Sequence, residues 1–116
     1  MKDCIFCKIV KKEIPADIVY ASDRIIAFPD INPVAPVHIL VIPTRHIASM
    51  NDLSSDDYDL IGEMVAVAVE LAKKKKIAEN GYKLLIRTGA DGGQEVSHIH
   101  LHLIGGAPLY EDIHPA

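Results

Sequence analysis

No apolar run in the 116-residue chain approaches 18 residues, bases are fewer than acids, and there are only two cysteines. The missing run excludes a transmembrane helix. The charged Lys2-Asp3 after Met1 does not read as a secretory leader, so a cytoplasmic protein is expected. Sixteen acids against twelve bases give a formal charge of −4, which argues against non-specific binding to nucleic acid or an anionic membrane surface. The cysteines fall together as Cys4-Ile5-Phe6-Cys7, and in a reducing compartment that spacing favours a zinc half-site over a structural disulfide. A thioredoxin-like redox motif would need a strand leading into it, which the sequence lacks. Repeats, low-complexity tracts and interdomain linkers are also missing.

What is present suits a single domain, residues 1–116, with 49% hydrophobic content to fill one core. Ile5, Phe6, Ile9 and Val10 at helical spacing predict a short helix within residues 3–14, ended by Pro15. Residues 18–20 and 25–28 read as a hairpin, and the apolar run 37–42 as a strand buried on both faces. A stripe from Leu60 to Ala72 predicts a long helix over about residues 55–78, stopped at Asn80-Gly81. Val67 and Val69 fall outside the stripe, which a homodimer would explain. Residues 82–87 read as a further strand, followed by the glycine-rich 89–93 and a last strand. The fold class is therefore α+β: a five-stranded antiparallel sheet with one long and one short helix, the helices on one face, extended across a homodimer.

Three of the six histidines lie in Gly92-Gly93-Gln94-Glu95-Val96-Ser97-His98-Ile99-His100-Leu101-His102-Leu103-Ile104. On a strand, alternation puts His98, His100 and His102 on one face and the aliphatic residues on the other. Adjacent imidazoles raise the cost of protonating any one of them, so the pattern points to chemistry, either metal binding or phosphoryl transfer. A neutral imidazole can attack phosphorus, provided a partner fixes its tautomer and donors meet the phosphate oxygens. The backbone N–H groups of Gly92-Gly93-Gln94 are candidate donors. A catalytic zinc held by all three histidines is disfavoured, because the outer two would lie about 13 Å apart along a strand.

The run His98-Ile99-His100-Leu101-His102-Leu103-Ile104 resembles the signature of the histidine triad superfamily, and Gly92-Gly93-Gln94-x-Val96 resembles its purine nucleoside phosphoramidase branch. Similar blocks recur at Cys4–Ile9, Glu13-Ile14-Pro15, Ala27–Ile31, Ala35–Pro43, His46-Ile47 and Leu103–Gly106. The resemblance implies hydrolysis of purine nucleoside 5'-phosphoramidates, such as those of AMP or GMP, through a nucleotidyl-histidine. A non-enzymatic nucleotide-binding regulatory module and a dinucleoside polyphosphate hydrolase are the alternatives. His100 is implied as nucleophile, His102 as phosphate ligand, His38 as a supporting histidine, and Asp30 as partner of the ribose hydroxyls. Phe6, Ile9, Ile14, Ile31 and Leu40 would form the slot for the base, with Gly93, Gln94 and Val96 beside the phosphate. Glu95 is placed to meet an amine leaving group, and Arg87 stands where relatives often carry asparagine. Some relatives bind zinc through such a cysteine pair and two histidines, which implies a structural Cys4, Cys7, His46 and His98 site and no catalytic metal.

Overall fold

The computed structural model describes residues 3–116. In chain order the elements are α1 (Ile5–Val10), β1 (Tyr20–Ala21), β2 (Ile25–Pro29), β3 (Val37–Pro43), α2 (Tyr58–Lys74), β4 (Tyr82–Ile86) and β5 (Leu101–Gly105), with 3-10 turns at Met50–Asp52 and Ser55–Asp57. The strands form one antiparallel sheet in the order β1-β2-β3-β5-β4. As its apolarity predicts, β3 is the middle strand, with Leu40 opposite both Phe28 of β2 and His102 of β5.

Alternation along these strands serves two apolar layers. Ile25, Ala27, Ile39, Val41, Leu101 and Leu103 pack under Met64, Ala68 and Leu71 of α2. Ile26, Phe28, Leu40 and Ile42 point the other way and pack with Phe6 of α1. The helices therefore lie on opposite faces, not on one face as expected. The short α1 covers only part of its side, and the uncovered part is where the cavity lies.

The long helix is shorter than residues 55–78. A 3-10 turn precedes it, with Ser54 backbone N–H and hydroxyl both donating to the Asp57 carboxylate. It closes at Lys74 and not at Asn80-Gly81, because Lys76 takes a left-handed conformation (φ 61°) and buried Ile77 folds back to bond Ala72. Val67 is buried in the core and half-buried Ile61 packs against it; the outward apolar residues are exposed Val65 and half-buried Val69. The short helix likewise ends at Val10, with Lys12 at φ 62°.

The last strand begins only at Leu101, so His98 and His100 precede it and do not share a strand with His102. The pairing of Leu101 with Val41, continued backwards, would set Ile99 opposite Pro43, which has no N–H to donate. Ile99 N–H instead bonds the Ile47 carbonyl at 2.8 Å, carrying the chain across the end of β3.

Candidate functional site

A cavity of about 540 Å³ opens beside α1, between the 28–32 segment and the end of β5. Of the residues named from the sequence, Phe6, Ile9, Ile14, Asp30, Ile31, Leu40, Arg87, Gly93, Glu95, Val96, His100 and His102 line it. Phe28 and Asn32 line it as well; in the sequence Phe28 reads as plain strand core. His38 stands behind His102, and His98 lies deeper still, fully buried.

The hydrogen bonds fix the state of each ring. His38 Nδ1 accepts from Val34 N–H at 3.2 Å, so its own proton sits on Nε2. That N–H faces His102 Nδ1 at 2.9 Å, with Asp30 Oδ2 at 3.4 Å from the same nitrogen. His102 accepts on Nδ1 and so carries its proton on Nε2, which is buried and has no protein partner. His100 is the reverse: its Nδ1–H donates to the His98 carbonyl at 2.8 Å, leaving the Nε2 lone pair free. The two rings are 5.0 Å apart, centre to centre. A lone pair and an N–H donor thus stand side by side on the cavity wall.

The surroundings of His102 and His38 disfavour their protonation. Burial pushes His102 down to about 4, with His100, His38 and Arg87 adding repulsion and Asp30 opposing it. Burial lowers His38 as well, and Asp30 only partly offsets this. Although Asp30, His38 and His102 are close enough to suggest a metal site, coordination through His38 Nε2 would require the proton on Nδ1, against the Val34 N–H. The trio is better suited to passing hydrogen-bond direction than to holding an ion.

The glycine-rich loop does not present the expected anion-binding row. Gly93 N–H is spent on Ala90 O and Gln94 N–H on Gly89 O, both at 3.0 Å. The Gln94 side chain is also committed: its amide donates to Ala48 O and Val96 O and accepts from Gly89 N–H, so it braces the loop and does not line the cavity. Gly92 is required by close approach, since a Cβ there would stand 2.4 Å from the Thr88 carbonyl oxygen. Gly93, at φ 78°, supplies the left-handed turn that brings the chain past Arg87. The Arg87 guanidinium pairs with no carboxylate among the described residues.

Behind the cavity, Cys4, Cys7, His46 and His98 bring their ligand atoms within 4.8 Å of one another. Sγ of Cys4 is 3.4 Å from His98 Nδ1, and Sγ of Cys7 is 3.3 Å from His46 Nδ1 and 3.6 Å from His98 Nδ1. Sulfur and nitrogen on one tetrahedral zinc lie about 3.5 Å apart, given the usual bond lengths. His98 Nε2–H donates to Pro43 O at 2.9 Å, which turns its Nδ1 lone pair toward the sulfurs. Burial raises the Cys7 thiol and Cys4 beside it raises it further; a bound cation reverses that preference. The donor set therefore fits a metal ion with four protein ligands and no open position.

A family model described as "Scavenger mRNA decapping enzyme C-term binding" matches residues 3–109. The chain belongs to the histidine triad (HIT) family. It is 50% identical over 108 residues to the purine nucleoside phosphoramidase of Escherichia coli, covering 93% of this chain and 91% of that one. A HIT family hydrolase from Legionella pneumophila is 46% identical with a TM-score of 0.91, covering 93% of this chain and 96% of that one. A histidine triad protein from Clostridium difficile is 42% identical with a TM-score of 0.93, covering 97% and 98%. The five-stranded sheet with one long and one short helix is the fold these HIT structures share.

Proposed function

We propose that this HIT protein hydrolyses purine nucleoside 5'-phosphoramidates through a nucleotidyl-histidine at His100. The observation that carries the reading is the pair of opposite tautomers on one cavity wall: a free lone pair on His100 Nε2 beside an unpartnered N–H on His102 Nε2. The 50% identity to a phosphoramidase supports the choice of substrate.

His100 Nε2 attacks the α-phosphorus, the P–N bond breaks, and the amine leaves with a proton from Glu95 or water. The imidazolium formed keeps its Nδ1–H on the His98 carbonyl, while His102 Nε2–H donates to a non-bridging phosphate oxygen. Water then attacks phosphorus and gives up a proton to Glu95 or to solvent, the P–N bond to His100 breaks, and the nucleotide leaves with both side chains restored. Phe6, Ile9, Ile14, Ile31 and Leu40 hold the purine, and Asp30 takes the ribose hydroxyls. Its Oδ1 already accepts Asn32 N–H at 2.9 Å, which fixes the carboxylate at the rim.

Zinc at Cys4, Cys7, His46 and His98 would be structural, tying α1 to the segment before β5. The outward Val65 and Val69, with the edge strand β4, support a homodimer. The unbridged Cys4 and Cys7 are compatible with a reducing, cytoplasmic setting, and no helix among the described residues is long and apolar enough to cross a membrane.

Unpaired Arg87 favours a second reading, a dinucleoside polyphosphate hydrolase, because a guanidinium at the cavity suits a further phosphate. Competition between a fluorogenic adenosine phosphoramidate and diadenosine triphosphate decides between them. Preferred turnover of the phosphoramidate supports the proposal; preferred turnover of the triphosphate supports the alternative, and turnover of neither leaves a nucleotide-binding module.

A further inference from the structure

We propose that Cys4, Cys7 and His46 are positioning residues for the nucleophile: by holding the His98 ring, they fix the carbonyl that sets the tautomer and aim of His100. The inference rests on the reading of His100 as nucleophile. It assigns the metal cluster a part in the reaction beyond tying down a helix.

Every polar handle of His98 is in use. Its side chain is fully buried, with Nε2–H on Pro43 O and Nδ1 against the sulfurs of Cys4 and Cys7. Its backbone N–H donates to Val96 O at 2.9 Å, a tight local turn, and its carbonyl accepts His100 Nδ1–H at 2.8 Å. Because β5 begins at Leu101, no strand pairing holds this carbonyl. Its direction depends on the Ile99 bond to Ile47 on one side and on the anchored His98 ring on the other. Phe6 reinforces the link, edge-on to His98 at 5.8 Å and to His100 at 5.1 Å, and it sits on the same short helix as Cys7.

The consequence is specific. With the cluster closed, His100 has one tautomer, protonated on Nδ1, and its Nε2 lone pair is available. With the cluster open, the His98 ring loses one of its two tethers and the carbonyl swings. His100 then also populates the Nε2–H form, which cannot attack. His102 takes its tautomer from His38 and Val34, away from the cluster, and so is an internal control.

The test is histidine-15N NMR at one fixed neutral pH on four samples: the zinc-loaded protein, the EDTA-treated protein, that protein after return of zinc, and His46→Asn. The expected result is His100 solely as Nδ1–H with zinc, mixed tautomers after EDTA and in His46→Asn, recovery on return of zinc in the EDTA-treated protein, and His102 unchanged throughout. Alongside it, kcat falls about 10- to 100-fold on EDTA treatment while KM holds, the size typical of lost outer-sphere support. If EDTA unfolds the chain, His46→Asn carries the measurement with the two cysteines intact. A folded, zinc-free protein whose His100 tautomer and kcat are unchanged overturns the inference. Absence of turnover in the zinc-loaded protein refutes the proposed function instead, and leaves the tautomer result to stand or fall separately.

Discussion

His38 Nε2 and His102 Nδ1 face each other at 2.9 Å with room for one proton between them, and the Val34 N–H decides which ring supplies it. A backbone amide on the 30–36 segment thus determines that His102 presents N–H, not a lone pair, to the cavity. The catalytic value of His38 on this account is directional. His38→Ala should lower kcat about 10- to 100-fold with little change in nucleotide affinity, and His38→Gln, which can offer an N–H to His102, should recover part of the loss. Steady-state kinetics with nucleotide affinity by calorimetry checks both.

Stability should fall in mild acid. His38 and His102 are both held below their ordinary value near 6.5, chiefly by burial. A group with a depressed value contributes fully above its unfolded-state pKa, and that contribution is lost as pH falls from about 6.5 toward the folded value, about 4 for His102. The His102 share is on the order of 3 kcal/mol. Denaturant unfolding at pH 7.5 and pH 4.5 should show the loss, and His102→Gln should flatten the dependence.

The four-ligand cluster predicts about one zinc per chain, because two thiolates and two imidazoles complete a tetrahedral set. Elemental analysis of the purified protein checks the ratio. Cys4→Ser should lose the metal and melt at lower temperature, and a zinc-free wild type with the same melting point as the loaded protein would contradict the assignment.

Much of this architecture was legible from periodicity, because the strands and the long helix write their partners into alternate or 3.6-spaced positions. The central place of β3 followed from its near-continuous apolar run over Val37–Ile42, broken only by His38. The side of the sheet taken by α1 did not follow, since the irregular residues between Val10 and β1 fix it and carry no pattern. The histidine stretch misled in one respect: Ile99 and Leu101 alternate as a strand would, yet Pro43 leaves Ile99 without a ladder partner. The glycine row looked like an anion site, but the Gly93 and Gln94 amides, two of its three, close their own turns, a choice that depends on loop geometry and not on composition. Much of the cavity lining from Phe6 to His102 was readable through family resemblance, but Phe28 and Asn32 were not, and Gln94 braces the loop instead of lining the cavity. The opposite tautomers of His100 and His102 were not, because they depend on the Val34 amide and the His98 carbonyl.

The central claim is that His100 carries the nucleotidyl group. Quenching the enzyme in denaturant at alkaline pH, where a P–N adduct survives, during turnover of an adenosine phosphoramidate and measuring intact mass is the test. The wild type should carry an adduct of one adenylyl group, mapped to the peptide holding His100, and His100→Ala should show neither adduct nor turnover. Wild-type rates of hydrolysis by His100→Ala would contradict it.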